Sequence, residues 1–341
     1  MSQPTYRQPA EWARHSACWL AWPSHGHLWQ ENLAPARAEW AALCLAIAEA
    51  GDEALDILVQ DAAAEAEAGT ALAPVLGQVR FHRVPVGDIW LRDTAPIFVE
   101  DGAGTLHAAC FGFNGWGRKY LLPDDDRVAG RVAALSGAPR IDHAWILEGG
   151  SVEVDGEGTV LTTRQCLLNP NRNPGLDQTE IEAALRDGLG AEKVLWLDEG
   201  LLNDHTDGHI DTLARFVAPG VVVCMEAQEP GDPNAATLDR LAADLGALTD
   251  ARGRRLQVVC IPSPGVVRDE DGELMPASFV NFYIGNRSVV VPTYGTAYDD
   301  EAVAALAPLF PNHRVLGRSA RAILSGGGAF HCITQQQPEV R

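Results

Sequence analysis

Ser151-Val152-Glu153-Val154-Asp155-Gly156-Glu157-Gly158-Thr159-Val160-Leu161-Thr162-Thr163 is the stretch from which the fold can be read. Two β-rich runs flank an Asp-Gly turn, which is the signature of a hairpin. From Asp177 to Leu189 apolar residues then recur at helical spacing, behind an Asp able to cap the first turn. Val194 to Leu197 follows as a short apolar strand. The unit is therefore strand, turn, strand, helix, strand.

The same order recurs on both sides. Upstream, Ile89 to Val99 and Leu106 to Phe113 flank Asp101-Gly102, and a helix is predicted over Asp124 to Leu135. Downstream, Ile210 to Val217 and Val221 to Met225 flank Pro219-Gly220, before a helix from Asn234 to Leu248 and a strand from Leu256 to Ile261. Phe279 to Ile284 and Ser288 to Pro292 flank Gly285-Asn286, before a helix from Asp299 to Leu309. Cys18 to Trp22 and Arg37 to Glu49 supply part of a fifth unit, which a C-terminal strand could complete. The turns recur at an interval of about 60 residues, a period that points to solenoids or propellers. The competing reading is an α+β domain whose hairpin rhythm is coincidental. Asp61 to Ala73 reads as an exposed helix, and no low-complexity linker divides the chain. Residues 1–341 are expected to form a single catalytic domain, although 341 residues would also accommodate two.

The formal net charge of −20 argues against nucleic acid, whose phosphates call for clustered Lys and Arg. It also disfavours anionic membranes and suits a cationic substrate, although solubility alone accounts for many acidic surfaces. No apolar run approaches the ~18 residues of a membrane span. Met1 to Ala10 is polar and lacks the pattern of a secretory signal, so a cytoplasmic protein is expected. A homo-oligomer is compatible with the sequence. Seven widely spaced cysteines without a C-x-x-C indicate neither a disulfide framework nor a zinc finger. Cys44 and Cys224 read as small core residues, as do Cys18, Cys110, Cys166 and Cys260, whereas Cys332 has an unusual setting.

Cys332 ends Ser325-Gly326-Gly327-Gly328-Ala329-Phe330-His331-Cys332. Three glycines let the backbone approach a ligand or another segment closely, and no Gly-Lys-Ser/Thr follows to make a phosphate loop. In extended chain His331 would point away from Cys332 and is read as structural. A second motif is Asp204-His205-Thr206-Asp207-Gly208-His209-Ile210-Asp211. If extended, it sets His209 and Asp211 on one face, which suits acid–base work on a cation. Metal binding by His205 and His209 is the rival there, opposed by Gly208 and by the lack of a second His/Asp cluster. Asp88-Ile89-Trp90-Leu91-Arg92-Asp93-Thr94-Ala95-Pro96 could be a buried ion pair beside an indole at a strand edge, and Leu147-Glu148-Gly149-Gly150 alone reads as a turn.

Taken with Pro9-Ala10-Glu11-Trp12, Trp19-Leu20-Ala21-Trp22-Pro23, Ala277 to Ile284 and Gly326 to Gln336, these motifs span nearly the whole chain and resemble the agmatine deiminase family. That family lies in the guanidino-modifying superfamily, with the bacterial-type peptidylarginine deiminases. The resemblance implies an α/β fold, a five-bladed pseudo-symmetric β/α propeller of repeated ββαβ-like units. It implies no cofactor and no metal. It makes Cys332 the nucleophile, His209 the acid and base, and Asp93, Asp211 and Glu148 the carboxylates around the guanidinium. Trp90 is expected beside the substrate's stem or cationic end. The implied reaction turns agmatine into N-carbamoylputrescine and ammonia through a covalent thiouronium, with roles in polyamine and putrescine biosynthesis. Carboxylates near Cys332 should keep its thiol protonated until a cation binds. Ala329, Phe330 and Thr212 depart from the family pattern, so the chemistry is better supported than the substrate. The alternatives are a deiminase of peptidylarginine or another guanidino compound, a manganese ureohydrolase using His205 and His209, and an inactive repeat scaffold.

Overall fold

The computed structural model describes residues 6–51 and 53–339; Met1 to Thr5, part of the N-terminal stretch considered above, lie outside them. The anticipated unit is present at Val152–Val154, which pairs antiparallel with Thr159–Thr163, after which Lys193–Leu197 joins parallel to the latter. The helix Gln178–Leu189 makes the crossover between them. Asp177 and Glu180 form a reciprocal capping box at its start, Gly190 ends it in the left-handed region, and Ile181, Leu185 and Leu189 are buried.

Three further modules repeat this order. Ile97–Asp101, Leu106–Gly112 and Arg140–Ile146 enclose the helix Val128–Ser136. Ala214–Ala218, Val221–Glu226 and Gln257–Pro262 enclose Ala235–Ala247. Tyr283–Ile284, Ser288–Thr293 and Arg314–Ser319 enclose Asp299–Leu306. The fifth module joins distant parts of the chain: Gln335–Pro338 pairs antiparallel with His15–Ala21, and Ala54–Val59 follows parallel after the helix Leu33–Ala50. Val79–Arg83 adds one more parallel strand after the helix Ala62–Ala71. Five small sheets of ββαβ type thus make the five-bladed β/α propeller. The middle strands, such as Val221–Glu226 and Ser288–Thr293, are apolar runs because helices cover one face and neighbouring modules the other. Trp19, Trp40, Phe216, Phe279, Phe282 and Phe330 are the large rings buried at the core.

The expected first strands are the elements that change. Ile89 to Val99 is not one strand, because Leu91–Thr94 forms a helical turn and the strand begins at Ile97, after Pro96. Ile210 to Val217 begins as a 3₁₀ turn over Ile210–Thr212. Phe279 to Ile284 reduces to the two-residue strand Tyr283–Ile284. Asp124 caps nothing: it sits at φ 73°, and a 3₁₀ turn over Asp125–Arg127 precedes the helix. No helix among the described residues is long and apolar enough to cross a membrane.

Candidate active site

The turns that displaced those first strands carry the polar side chains of the site. Asp93 comes from Leu91–Thr94, Glu148 precedes the turn Gly149–Ser151, and Asp211 sits in Ile210–Thr212. Asn281 lies just before Tyr283, and Cys332 just before Gln335. Each module contributes one such turn, and pulling it out of the ladder lets a polar side chain point inward.

Three side chains crowd together at Gly150. A Cβ there would lie 2.6 Å from His209 Nδ1, 3.0 Å from Asp93 Oδ1 and 3.1 Å from Asp211 Oδ2. The glycine after Glu148 therefore makes room for three functional groups. Its N–H also donates to Asp93 Oδ1 at 2.9 Å, and the Trp116 indole N–H donates to Asp93 Oδ2 at 2.9 Å. Trp116 holds this position with φ 51°, a left-handed backbone that costs a bulky residue energy. Burial, then the charges of Asp211 and Glu148, push the Asp93 carboxyl up to about 8.

The nucleophile candidate is gripped from Asn281. Asn281 Nδ2 donates to Cys332 Sγ at 3.2 Å, and Asn281 Oδ1 accepts the backbone N–H of His331 at 3.0 Å. Asp211 Oδ2 lies 3.6 Å from Sγ. Burial, followed by Asp211 and Asp93, pushes the Cys332 thiol well above its ordinary value. A Cβ at Gly328 would come within 3.0 Å of Sγ, so this glycine too is required by what packs on it.

His331 points away from the cavity, as anticipated, although through a turn and not an extended strand. Its Nδ1 lies 2.7 Å from Asp211 Oδ2 and its Nε2 lies 2.8 Å from Glu11 Oε2. Neutral imidazole has one N–H, so hydrogen-bonding to both carboxyls requires an additional proton within the triad. Burial, Arg215 and Arg92 push the imidazole down while the two acids pull it up. Burial raises the Asp211 carboxyl, but the His331 hydrogen bond and charge hold it below its ordinary range. Asp211 Oδ1 is left without a partner among the described residues.

His209 is bonded differently. Both ring nitrogens are buried without a hydrogen-bond partner among the described residues, with Asp93 Oδ2 at 3.8 Å and Glu148 Oε2 at 4.0 Å. Burial pulls its pKa down to about 3. Glu148 uses one oxygen to accept the Arg172 Nε–H at 2.8 Å, and its Oε2 has no hydrogen-bond partner among the described residues. Burial raises its carboxyl despite that guanidinium.

Above Cys332 lies a cavity of about 230 Å³, walled by Trp29, Trp90, Trp116, Tyr120 and the glycine loop. Trp90 is on its wall, with its indole N–H bonded to Asp88 Oδ2. Cys332, His209, Asp93, Asp211 and Glu148 are therefore brought together. Arg92 is not the partner of Asp93; it reaches Gln335, Gln336 and the His331 carbonyl instead. His205 does not join His209, because φ values of 66° at Asp207 and 83° at Gly208 turn the chain between them. It is exposed at the rim, 3.3 Å from the Tyr120 hydroxyl. A different set, Glu148, Cys166 and His209, has ligand atoms within 4.8 Å of one another. Its thiol–imidazole–carboxylate chemistry suits zinc better than the hard-ligand preference of manganese. Trp116, Arg172 and Asn281 had no assigned role. Of the three, only Asn281 lies in a recognisable motif, Ala277 to Ile284, and the Gly115-Trp116-Gly117 setting is the signal that points to Trp116.

The family described as Porphyromonas-type peptidyl-arginine deiminase matches residues 7–338. An agmatine deiminase of Stutzerimonas stutzeri is 40% identical over 98% of this chain and 96% of its own length. One from Pseudomonas aeruginosa is 38% identical over 100% of both chains. The solved structure of an Enterococcus faecalis agmatine deiminase superposes with TM-score 0.92 at 31% identity, covering 100% of this chain and 99% of that one.

Proposed function

This chain belongs to the Porphyromonas-type peptidyl-arginine deiminase family, and we propose that it works as an agmatine deiminase, a hydrolase of guanidino C–N bonds. One observation carries the reading of the site. Beside a buried thiol, Asp211 Oδ1 and Glu148 Oε2 are acceptors without donors among the described residues, and Asp93 adds a third carboxyl. A guanidinium offers planar N–H donors and a positive charge to such a set.

The steps follow from the same atoms. The bound cation lowers the thiol pKa that burial and carboxylates had raised, and His209, neutral in the free protein, takes the proton. Cys332 Sγ bonds to the guanidino carbon. His209 returns the proton to the departing nitrogen, the C–N bond breaks, and ammonia leaves. Water, deprotonated by His209, then adds to the thiouronium carbon. The C–S bond breaks, the thiolate regains its proton, and N-carbamoylputrescine is released. The small aromatic-walled cavity, with Cys332 7% exposed, favours agmatine over a peptidyl arginine.

A panel of agmatine, arginine, an arginyl peptide and methylguanidine tests this, read by ammonia and ureido product. Agmatine should be preferred, and acid quenching during turnover should leave an alkylthiouronium on Cys332, seen by peptide mass spectrometry. Urea as product, or turnover with Cys332 never modified, would overturn the scheme.

A further inference from the structure

One carboxylate on the cavity wall is unused by the guanidino chemistry. Among the cavity-lining residues only Asp93 and Asp88 carry a carboxylate, and Asp93 belongs to the reacting end. Asp88 is 7% exposed. The Trp29 indole N–H donates to its Oδ1 and the Trp90 indole N–H to its Oδ2, both at 2.9 Å. These donors are neutral, as is the Ile89 backbone N–H that also bonds it: they fix the plane of the carboxylate without pairing it with a cation, and His25 is the basic side chain whose charge reaches it. Among the described residues Asp88 makes no ion pair, and burial raises its carboxyl. Buried carboxylates are ordinarily matched by a cation, and with donors from two indoles and the Ile89 backbone N–H the carboxylate still keeps a free lone pair.

The surrounding wall is rigid. The two indoles stack with centroids 6.0 Å apart at 24°. A Cβ at Gly326 would lie 2.7 Å from the Trp90 ring and 2.8 Å from that of Trp29, so the glycine loop closes directly against them. Ring, loop and carboxylate therefore share one place in the cavity that holds Cys332.

We propose that Asp88, held by Trp29 and Trp90, binds the ammonium group at the far end of the substrate and so selects amine-terminated guanidines. The proposal rests on the deiminase reading and adds to it the group that reads the second charge. Agmatine supplies the missing cation. A guanidine ending in a methyl group does not, and one ending in a carboxylate is repelled.

The test compares agmatine, n-butylguanidine and 4-guanidinobutyrate by kcat/KM in the wild type, then in Asp88→Asn and Asp88→Ser. Agmatine should exceed n-butylguanidine by at least roughly 30-fold, the low end for truncating a buried charge pair, with guanidinobutyrate last. In whichever neutral variant folds, that ratio should collapse to a few-fold. Equal use of agmatine and n-butylguanidine by the wild type, or an unchanged ratio in a folded variant, overturns the proposal while leaving the deiminase reading intact. Lack of ureido product from all three guanidines would sink both.

Discussion

His209 and His331 are both buried, both interact with Asp211, and differ in what their nitrogens do. His331 is bonded at each ring nitrogen to a carboxyl, Asp211 on one side and Glu11 on the other. His209 has neither nitrogen bonded among the described residues. A ring held at both ends cannot hand a proton to a third group without breaking a hydrogen bond. A ring with free nitrogens can, once a substrate arrives. Burial is the same in both cases, so bonding separates the two, and it suits His331 to scaffolding and His209 to proton transfer.

Removing the free ring should cost most. His209→Ala is expected to lower kcat/KM by about 10²–10⁴-fold, the usual worth of a general acid–base group. Steady-state kinetics on a variant with a wild-type unfolding curve checks this, and a loss below tenfold would erase the distinction.

For the bound ring, side-chain shape can be used as a probe. His331→Asn keeps an N–H near Nδ1, toward Asp211, whereas His331→Gln places one nearer Nε2, toward Glu11. If Asp211 is what His331 steadies, Gln should cost roughly 10- to 100-fold in kcat/KM, the range for losing a hydrogen bond to a charged group. Asn should recover most of it. The reverse order would mean that the ring serves the Glu11 side.

Acid stability gives a smaller effect with a definite sign. Burial takes His209 from the ordinary 6.5 down to about 3. Between those values the unfolded chain binds a proton that the folded site refuses, so folded-state stability is lost as pH falls through this window. His209→Gln removes that loss. Its Tm relative to wild type should rise from pH 7 to pH 4, by an amount on the order of 1–3 °C. Scanning calorimetry showing a relative fall would contradict a neutral, buried His209.

The smallest effect is expected from chelation. If His209 is a proton carrier and not a ligand, prolonged EDTA should leave kcat/KM unchanged within error. Loss restored by Mn²⁺ would return His209 to metal binding.

The sequence showed the modules well where backbone pairing alone decides the structure. Asp177 capped its helix and Thr159–Thr163 paired as its alternation suggested. It misled at Ile89 to Ala95 and Phe279 to Phe282, whose apolar letters read as strand while the chain turns. There the fold spends a strand's worth of pairing to bury Asp93 and Asn281, a gain visible only when distant modules meet. For the same reason Cys332, His209 and the acids, Asp88 among them, stood out as chemical types in motifs, whereas Trp116 and Arg172 did not. Their importance lies in partners such as Asp93, 23 positions from Trp116, and Glu148, 24 from Arg172.

The seam between Gln335–Pro338 and His15–Ala21 places the Cys332 thiol a few residues from the last pairing that closes the ring. During synthesis the acids of the middle modules leave the ribosome long before that strand does. The assembling chain is therefore disarmed: its thiol meets the carboxyls of Asp93, Glu148 and Asp211 only when the two distant strands zip together. Unzipping four residues would switch the protein off with the other blades still standing, so lost activity should report seam opening before optical signals report melting.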